Sequence, residues 1–427
     1  MLDIKYIRQN PDLVRANCRD RHIQADVDRV IKLDSHRRDL QFETDNLRRR
    51  IKELSESIPK EKDPRRREAL VEEAKTTKKS VAANDRKLGQ VMEAFEEELC
   101  RIPNMTHPEA PVGDSEEDNR ELRRAGEIRK LDFEPKNHVE LGEALGLIDF
   151  EGGARVSGQK FYYLKNEAVL LEYALIRYAI DRLMREGFTV YITPDLARSH
   201  ILDGIGFNPR GEETQVYSVA NADLCLIGTA EITLGGLYAN HILPEGSLPV
   251  KLLGISHCFR TEAGAPGRAA KGLYRVHQFT KVEMFAFTKP DESDSMHEAL
   301  LGYQEALFRG LEIPYRVVDI CTGDLGGPAY RKYDLEAWMP GRGESGDWGE
   351  ITSTSNCTDY QARRLRIRYK SSETGRNEFV HMLNGTAIAV SRTLIALMEN
   401  FQQADGSIAV PEALQTYTGF SVITPKK

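Results

Sequence analysis

The chain has 427 residues, of which 40% are hydrophobic and 29% charged, with a formal net charge of −7. That length suits two or three domains, and the balance of apolar to charged residues excludes a disordered chain or one embedded in a bilayer. The opening MLDIKYIRQNPDLVRANCRDR mixes both charge signs around no apolar core, which predicts neither a secretory signal nor a transit peptide, and hence a cytoplasmic protein that meets no membrane.

The first predicted elements are two long helices. From Asp26 to Arg101 the only glycine is Gly89 and the prolines are confined to Pro59 and Pro64. Leu33, Leu40, Leu47 and Leu54 recur every seven residues, and after the break IPKEKDPRRRE so do Ala74, Val81, Leu88 and Phe95. Two such helices joined by a Pro-containing turn bury their stripes against each other as an antiparallel coiled-coil hairpin. Each would reach about 40–50 Å at about 1.5 Å per residue. Between Arg48 and Lys87 there are 14 Lys/Arg against 8 Asp/Glu, a local charge of +6 on a chain that is otherwise acidic. A positive arm on an acidic body fits a polyanionic partner, because each neutralised phosphate releases counterions. On charge alone the same excess describes a solvated helix face, and a pure interaction module stays open. Lys60, Lys62, Arg65, Arg66 and Arg67 gather at the turn.

Beyond Ile102 the text becomes proline-rich, acidic and aperiodic (PNMTHPEAPVGDSEEDNRE), which predicts a linker over 102–136 between an arm at 1–101 and a body at 137–427. In the body, helices are expected over Glu167 to Glu186, Asp291 to Leu311 and Ala387 to Phe401. Strands are expected over Thr189 to Ile192, Val250 to Cys258, Val276 to Phe287, Tyr315 to Asp319, Glu350 to Ser355 and Glu378 to Leu383. No regular βαβ beat links them, so the expected class is α+β: the helical hairpin plus an antiparallel sheet flanked by helices. Neither GxxxxGK[ST] nor GxGxxG occurs, so any nucleotide site is of another kind.

Chemistry-bearing residues concentrate in three strings. The first is Cys258-Phe-Arg260-Thr261-Glu262, the small-residue loop AGAPGRAAKG, and Tyr274-Arg-Val276-His277-Gln-Phe279-Thr-Lys-Val-Glu283. It reads as two strands joined by a loop carrying Arg268 and Lys271. Arg260 at a strand end offers a bidentate fork for a phosphate oxygen. Glu262, on the same face, would accept from an adenine amino group, Phe279 would stack on a base, and Glu283 would hold an ammonium. Taken singly, an Arg-x-Glu on a strand is most often a surface pair. The second string is Gly349-Glu350-Ile351-Thr352-Ser353 through Arg364, and the third Leu383-Asn384-Gly385-Thr386 through Arg392 to Gln402.

In their order these strings resemble motifs 2 and 3 of class II aminoacyl-tRNA synthetases, in the form found in the seryl-tRNA synthetases. Gly228-Thr229-Ala230-Glu231 resembles that family's serine-binding segment, Gly187-Phe-Thr-Val with Pro194 its motif 1, and Asp405-Gly-Ser with Val410-Pro411 the close of its chains. The likeness spans nearly the whole chain. It implies an ATP-dependent enzyme that makes seryl-adenylate and passes serine to tRNA(Ser), and to tRNA(Sec) as a further substrate, as a homodimer joined near Pro194. By position, Arg260 would clamp the α-phosphate and the serine carboxylate. Glu262 and the backbone near Val276 would read adenine, with Phe279 and Arg392 sandwiching it, and Thr261 would belong to the ATP site. Glu350 and Ser353 would hold Mg²⁺, with Ile351 and Thr352 also in the ATP site. Thr229, Ala230, Glu231, Arg260, Glu283 and Thr386 would receive serine, and Arg48, Arg49, Lys52, Lys75 and Lys79 would contact tRNA. A pocket that hydrogen-bonds a hydroxyl rejects alanine by roughly 10⁴-fold or more.

Ala387 and Ser391 stand where glycines are frequent in motif 3, and Ser391 adds a side chain beside the expected adenine. That is either a tolerated variant or a mark of altered inhibitor sensitivity. Six scattered cysteines and ten histidines show no CxxC or HExxH spacing, so no zinc site is expected. Two rival readings remain: a paralogue supplying activated serine or seryl-tRNA to a biosynthetic or self-resistance role, and a non-catalytic tRNA-binding dimer.

Overall fold

The computed structural model describes residues 1–207, 215–262 and 272–425. Its backbone divides into two compact units, Met1–Met105 and Thr106–Lys427.

In the first unit, two short helices (Ile4–Gln9 and Pro11–Asp20) precede the long pair Val27–Ser57 and Pro64–Arg101. At about 1.5 Å per residue these two span about 46 and about 57 Å. Both starts are fixed locally. The Asp26 carboxylate accepts from Arg29 N at 2.8 Å, and the Asp63 carboxylate accepts from Arg65 N at 2.9 Å ahead of Pro64. The heptad positions form the seam: Leu40, Leu54, Ala74 and Phe95 are buried, and Leu33, Leu47, Val81 and Leu88 half-buried. The seam is not purely apolar, since Thr44, Thr77 and Asn84 are also buried, while Asp34 is buried 3.2 Å from Arg8 of the first short helix. Thr44 and Thr77 settle their hydroxyls on the carbonyls of Leu40 and Glu73.

The second unit is built on an eight-stranded sheet. Its strands in chain order are β1 (Arg120–Ala125), β2 (Thr189–Ile192), β3 (Val250–Phe259), β4 (Gln278–Thr288), β5 (Tyr315–Asp319), β6 (Arg331–Met339), β7 (Asp347–Asn356) and β8 (His381–Ala389). They lie in the order β1-β5-β6-β7-β8-β4-β3-β2. Every pairing is antiparallel except that of β2 with β3. Helices 167–185, 293–310 and 390–400 bury apolar faces in one continuous core with the sheet. The α+β expectation therefore holds.

Several boundaries differ from the expected ones. The helix expected from Ala387 begins at Val390, because Ile388 and Ala389 are still paired with Val282 and Lys281 in the ladder. The strand expected over Glu378 to Leu383 is two strands, since Asn377–Phe379 joins a separate small sheet before β8 starts at His381. β4 begins at Gln278, where its pairing with Phe259 starts, rather than at Val276. Within 102–136, expected as linker, Arg120–Ala125 adds itself to the sheet edge through backbone pairing with β5, although its side chains are almost all exposed.

Candidate active site

The central strands carry the site. One cavity is lined by Arg260, Glu262, Val276, Phe279, Glu350, Ile351, Thr352, Ser353, Thr386 and Arg392. Tyr274, Arg275, Lys281, Ala389 and Ser391 share that lining and were not assigned to substrates from the sequence. Two β-bulges make the convergence possible. Glu350 and Ser353 are three apart, a spacing that in regular pleating puts side chains on opposite faces. The register shifts between Leu335 and Glu336, so Glu350 pairs with Glu336 and Ser353 with Asp334, and the extra residue Ile351 returns both side chains to one face. A second shift after Thr386 does the same for Thr386 and Ala389, which lie opposite Glu283 and Lys281.

At one end of the cavity, Arg392 Nη1 lies 3.1 Å from Glu350 Oε2, and its guanidinium sits 4.6 Å from the centre of the Tyr274 ring. Burial pushes the Glu350 carboxyl up, but Arg392, Lys332 and Arg260 outweigh it and hold the group at about 2. Glu350 is thus an anion at neutral pH. On β6, Asp334 takes the opposite course: burial raises it to about 7 against the nearby Lys332, with the Glu350 charge adding to the rise. Arg260 is half-buried, and its guanidinium stands 5.5 Å from the Phe279 ring centre. The Phe279 face thus carries Arg260 rather than Arg392 in this structure. The Arg260 backbone is fixed from both sides: its N–H donates to His277 O at 3.0 Å, and its carbonyl accepts from His277 Nδ1 at 2.9 Å. His277 thus supports the strand end. Glu262 adopts φ +50°, a left-handed conformation rare for a side chain of its kind.

Beneath the cavity lies a polar floor. Thr229 caps the short helix Ala230–Gly236, its hydroxyl accepting from Glu231 N at 3.2 Å. Gly254 lets that helix press onto β3, since a Cβ there would come within 2.9 Å of both Ala230 Cβ and Leu234 Cδ1. Gly254 pairs with Glu283, and Thr386 pairs with Glu283 from the other side. Glu231, Glu283 and Thr386 are thereby gathered on one floor. The Glu231 Oε1 accepts from Gln361 Nε2 at 2.8 Å and Asn384 Nδ2 at 3.0 Å. Burial, reinforced by the Glu283 charge, raises Glu231 to about 7. Thr386 donates to Glu283 Oε2 at 3.2 Å, and Lys281 Nζ lies 2.5 Å from the same oxygen.

Not every expected residue reaches the cavity wall. Thr229, Ala230, Glu231 and Glu283 sit deeper, in the floor. Thr261 is outside the lining, its N–H donating to Gln215 O at 3.2 Å. Arg268 and Lys271 fall outside the described residues. The sequence reading missed Lys281, Gln361, Asn384 and Tyr274 as site members. For Lys281 there was a signal, since alternation on a strand puts it on one face with Phe279 and Glu283; Gln361 lies within the second string, but nothing in its spacing announces that helix Tyr360–Leu365 brings it to Glu231. Ser391 is buried and lines the cavity, while Ala387 is fully buried.

In the first unit, Arg48, Arg49, Lys52, Lys75 and Lys79 are all exposed. Arg48 bonds Asp85 across the hairpin at 2.9 Å, and Lys75 lies 3.6 Å from Glu72. No helix among the described residues is long and apolar enough to cross a membrane, and no group of three His, Cys, Asp or Glu side chains there is arranged to hold a metal.

Comparison with known proteins places these features in context. Residues 216–401 match the model of the tRNA synthetase class II core domain (G, H, P, S and T), and residues 1–106 match that of the seryl-tRNA synthetase N-terminal domain. The chain is 59% identical to the serine–tRNA ligase of Rubrobacter xylanophilus, with all of both chains covered. It is 55% identical to that of Treponema denticola over 99% of this chain and 100% of the relative. The crystal structure of seryl-tRNA synthetase from Pyrococcus horikoshii complexed with ATP superposes with a TM-score of 0.92 at 42% identity, covering both chains completely. That of the cytoplasmic Naegleria fowleri ligase in complex with AMP gives 0.87 at 35% identity, over 100% of this chain and 99% of that one.

Proposed function

We propose a residue-level mechanism from the premise that the chain belongs to the seryl-tRNA synthetase family. It is an ATP-dependent serine–tRNA ligase: ATP and L-serine give seryl-adenylate and pyrophosphate, and serine then passes to the 3′ end of tRNA(Ser). The observation that carries the mechanism is the stacking of a cavity lined by Arg260, Arg275, Lys281 and Arg392 directly over a floor holding two carboxylates and a hydroxyl.

Adenine lies on Phe279, against Glu262 and the backbone at Val276. For this the Arg260 guanidinium leaves the ring and turns to the α-phosphate and the serine carboxylate, where it stabilises the charge of the in-line displacement. Arg392, already beside Glu350, reaches the outer phosphates. Glu350 is ionised and shares a face with the Ser353 hydroxyl, so the two would hold Mg²⁺ as hard oxygen donors. When bound, that ion neutralises phosphate charge. Thr229, Glu231, Glu283 and Thr386 receive the serine ammonium and hydroxyl. No protein base is required, because positioning and electrostatics suffice for this transfer.

The exposed Arg48, Arg49, Lys52, Lys75 and Lys79 serve tRNA(Ser), with tRNA(Sec) as a second substrate. A homodimer forms along β2, the sheet edge next to Pro194, where Ile192 is 86% exposed and Tyr173 on helix 167–185 is 67% exposed. The enzyme works in the cytoplasm, and residues 1–101 and 137–427 divide the tRNA-reading and catalytic roles.

Serine-dependent ATP–pyrophosphate exchange, followed by charging of purified tRNA(Ser), tests the reading. Exchange and charging together are expected. Absence of exchange with serine would sink it, and exchange without charging would favour a biosynthetic paralogue.

A further inference from the structure

Between the cavity and its polar floor stands one cation with no role in the mechanism above. Lys281 lies on β4 two residues after Phe279 and two before Glu283, so the pleat turns all three side chains to one face. Its side chain is 7% exposed, and its ammonium is 2.5 Å from Glu283 Oε2. The same ammonium donates to Thr386 Oγ1 at 3.4 Å, while the Thr386 hydroxyl donates to Glu283 Oε2 at 3.2 Å.

We propose that Lys281 is a positioning residue for the amino acid, a resident cation that holds the Glu283 carboxylate and the Thr386 hydroxyl in the orientation that a serine ammonium and hydroxyl require. The inference rests on the reading of this floor as the serine pocket.

Charge is the first argument. The Glu283 charge adds to the cost of ionising buried Glu231, and burying two carboxylates without a cation is expensive. With Lys281 present the floor carries up to one net negative charge, which a single incoming ammonium balances. Without it, Glu231 would take a proton and the floor would lose an acceptor.

Hydrogen-bond direction is the second argument. A threonine hydroxyl has one proton and two acceptor positions. Here the proton goes to Glu283 and Lys281 occupies one acceptor position, leaving one for a donor from the substrate. A serine hydroxyl fills it, and alanine leaves it empty inside a buried site. Freed from Lys281, the Thr386 side chain could rotate and the preference would weaken. The backbone pairing of Thr386 with Glu283 places the two partners but does not set this direction.

The test uses the full chain and serine-dependent ATP–pyrophosphate exchange. Lys281→Met keeps the stem and removes the charge. It should raise the KM for serine about 10–100-fold, the loss expected for a charge-assisted contact, with the KM for ATP within about threefold. Discrimination against alanine should fall about tenfold. Lys281→Ala should recover part of its serine affinity when methylammonium is added. An unchanged serine KM in Lys281→Met, a parallel rise in the KM for ATP, or failure of both variants to fold would overturn the proposal. If the unaltered chain shows no serine-dependent exchange, the serine reading itself falls, which is a separate result.

Discussion

The arm and the catalytic floor carry charge in opposite ways. On the basic stretch of the arm, charges are many and mostly exposed: Arg48 and Asp85, 2.9 Å apart, retain side-chain exposures of 53% and 44%. Pairs of that kind contribute at most about 1 kcal/mol and are screened by salt. In the floor, charges are few and enclosed, with Lys281 and Glu283 at 7% and 2% exposure and Glu231 raised to about 7. Low dielectric makes each such group costly to disturb and its removal non-additive. On the proposed reading, a polyanion would be met by a sum of small, replaceable terms, and a small zwitterion by a handful of irreplaceable ones.

The largest test of that contrast is deletion of residues 34–88. It should cut tRNA charging by about 10³-fold or more, by loss of the phosphate contacts, while exchange stays within about threefold. Equal losses in both assays would mean the arm supports the catalytic unit and the contrast is false. Next comes Arg260→Ala, expected to lower kcat/KM for exchange by about 10²–10³-fold, the usual effect of removing one donor at developing charge. An effect under about fivefold would break the claim that single groups dominate the site.

A third test uses pH. His297 is buried against Thr354 O at 3.0 Å and stacks on Tyr333, and burial lowers it from its ordinary value to about 4. The unfolded chain therefore binds this proton first as pH falls. The stabilising contribution is full above about 6.5 and disappears progressively toward about pH 4, amounting to about 3 kcal/mol. Chemical denaturation across that range should show a steeper acid limb for the unaltered chain than for His297→Gln, and identical limbs would remove His297 from the account. The smallest effect is expected for Lys79→Ala on the arm: about a twofold loss in charging at moderate salt and a salt slope shallower by about one unit or less. A loss above about tenfold would make that lysine as individual as any group in the floor.

Much of the fold was legible because it follows local periodicity. The seven-residue spacing from Leu33 to Leu54 and the capping aspartates Asp26 and Asp63 specify the hairpin without reference to the rest of the chain. Helix 167–185 and strands β2 and β5 were legible for the same reason. β6 was missed although its buried Tyr333, Leu335, Ala337 and Met339 alternate as a strand should. β1 gave no apolar signal, since RELRRA joins the sheet edge through backbone pairing and through ion pairs of Arg120 with Asp319 and Arg123 with Glu305. In the site, the motif strings placed Arg260, Phe279, Glu350 and Arg392, but not their contacts. That Arg260 covers Phe279 and Arg392 lies on Tyr274 is settled by packing between residues more than ten positions apart.

By itself, then, the sequence determined the helical arm, the α+β class and the family-specific residue types, because these depend on spacing and identity along the chain. Tertiary structure decided which of those residues meet. The bulge at Ile351 returns Glu350 and Ser353 to one face, Gly254 lets Thr229 and Glu231 settle over Glu283, and Gln361 arrives from a separate helix. Each depends on register and close approach between strands and helices distant in sequence, and a period-two pattern cannot announce where it slips by one.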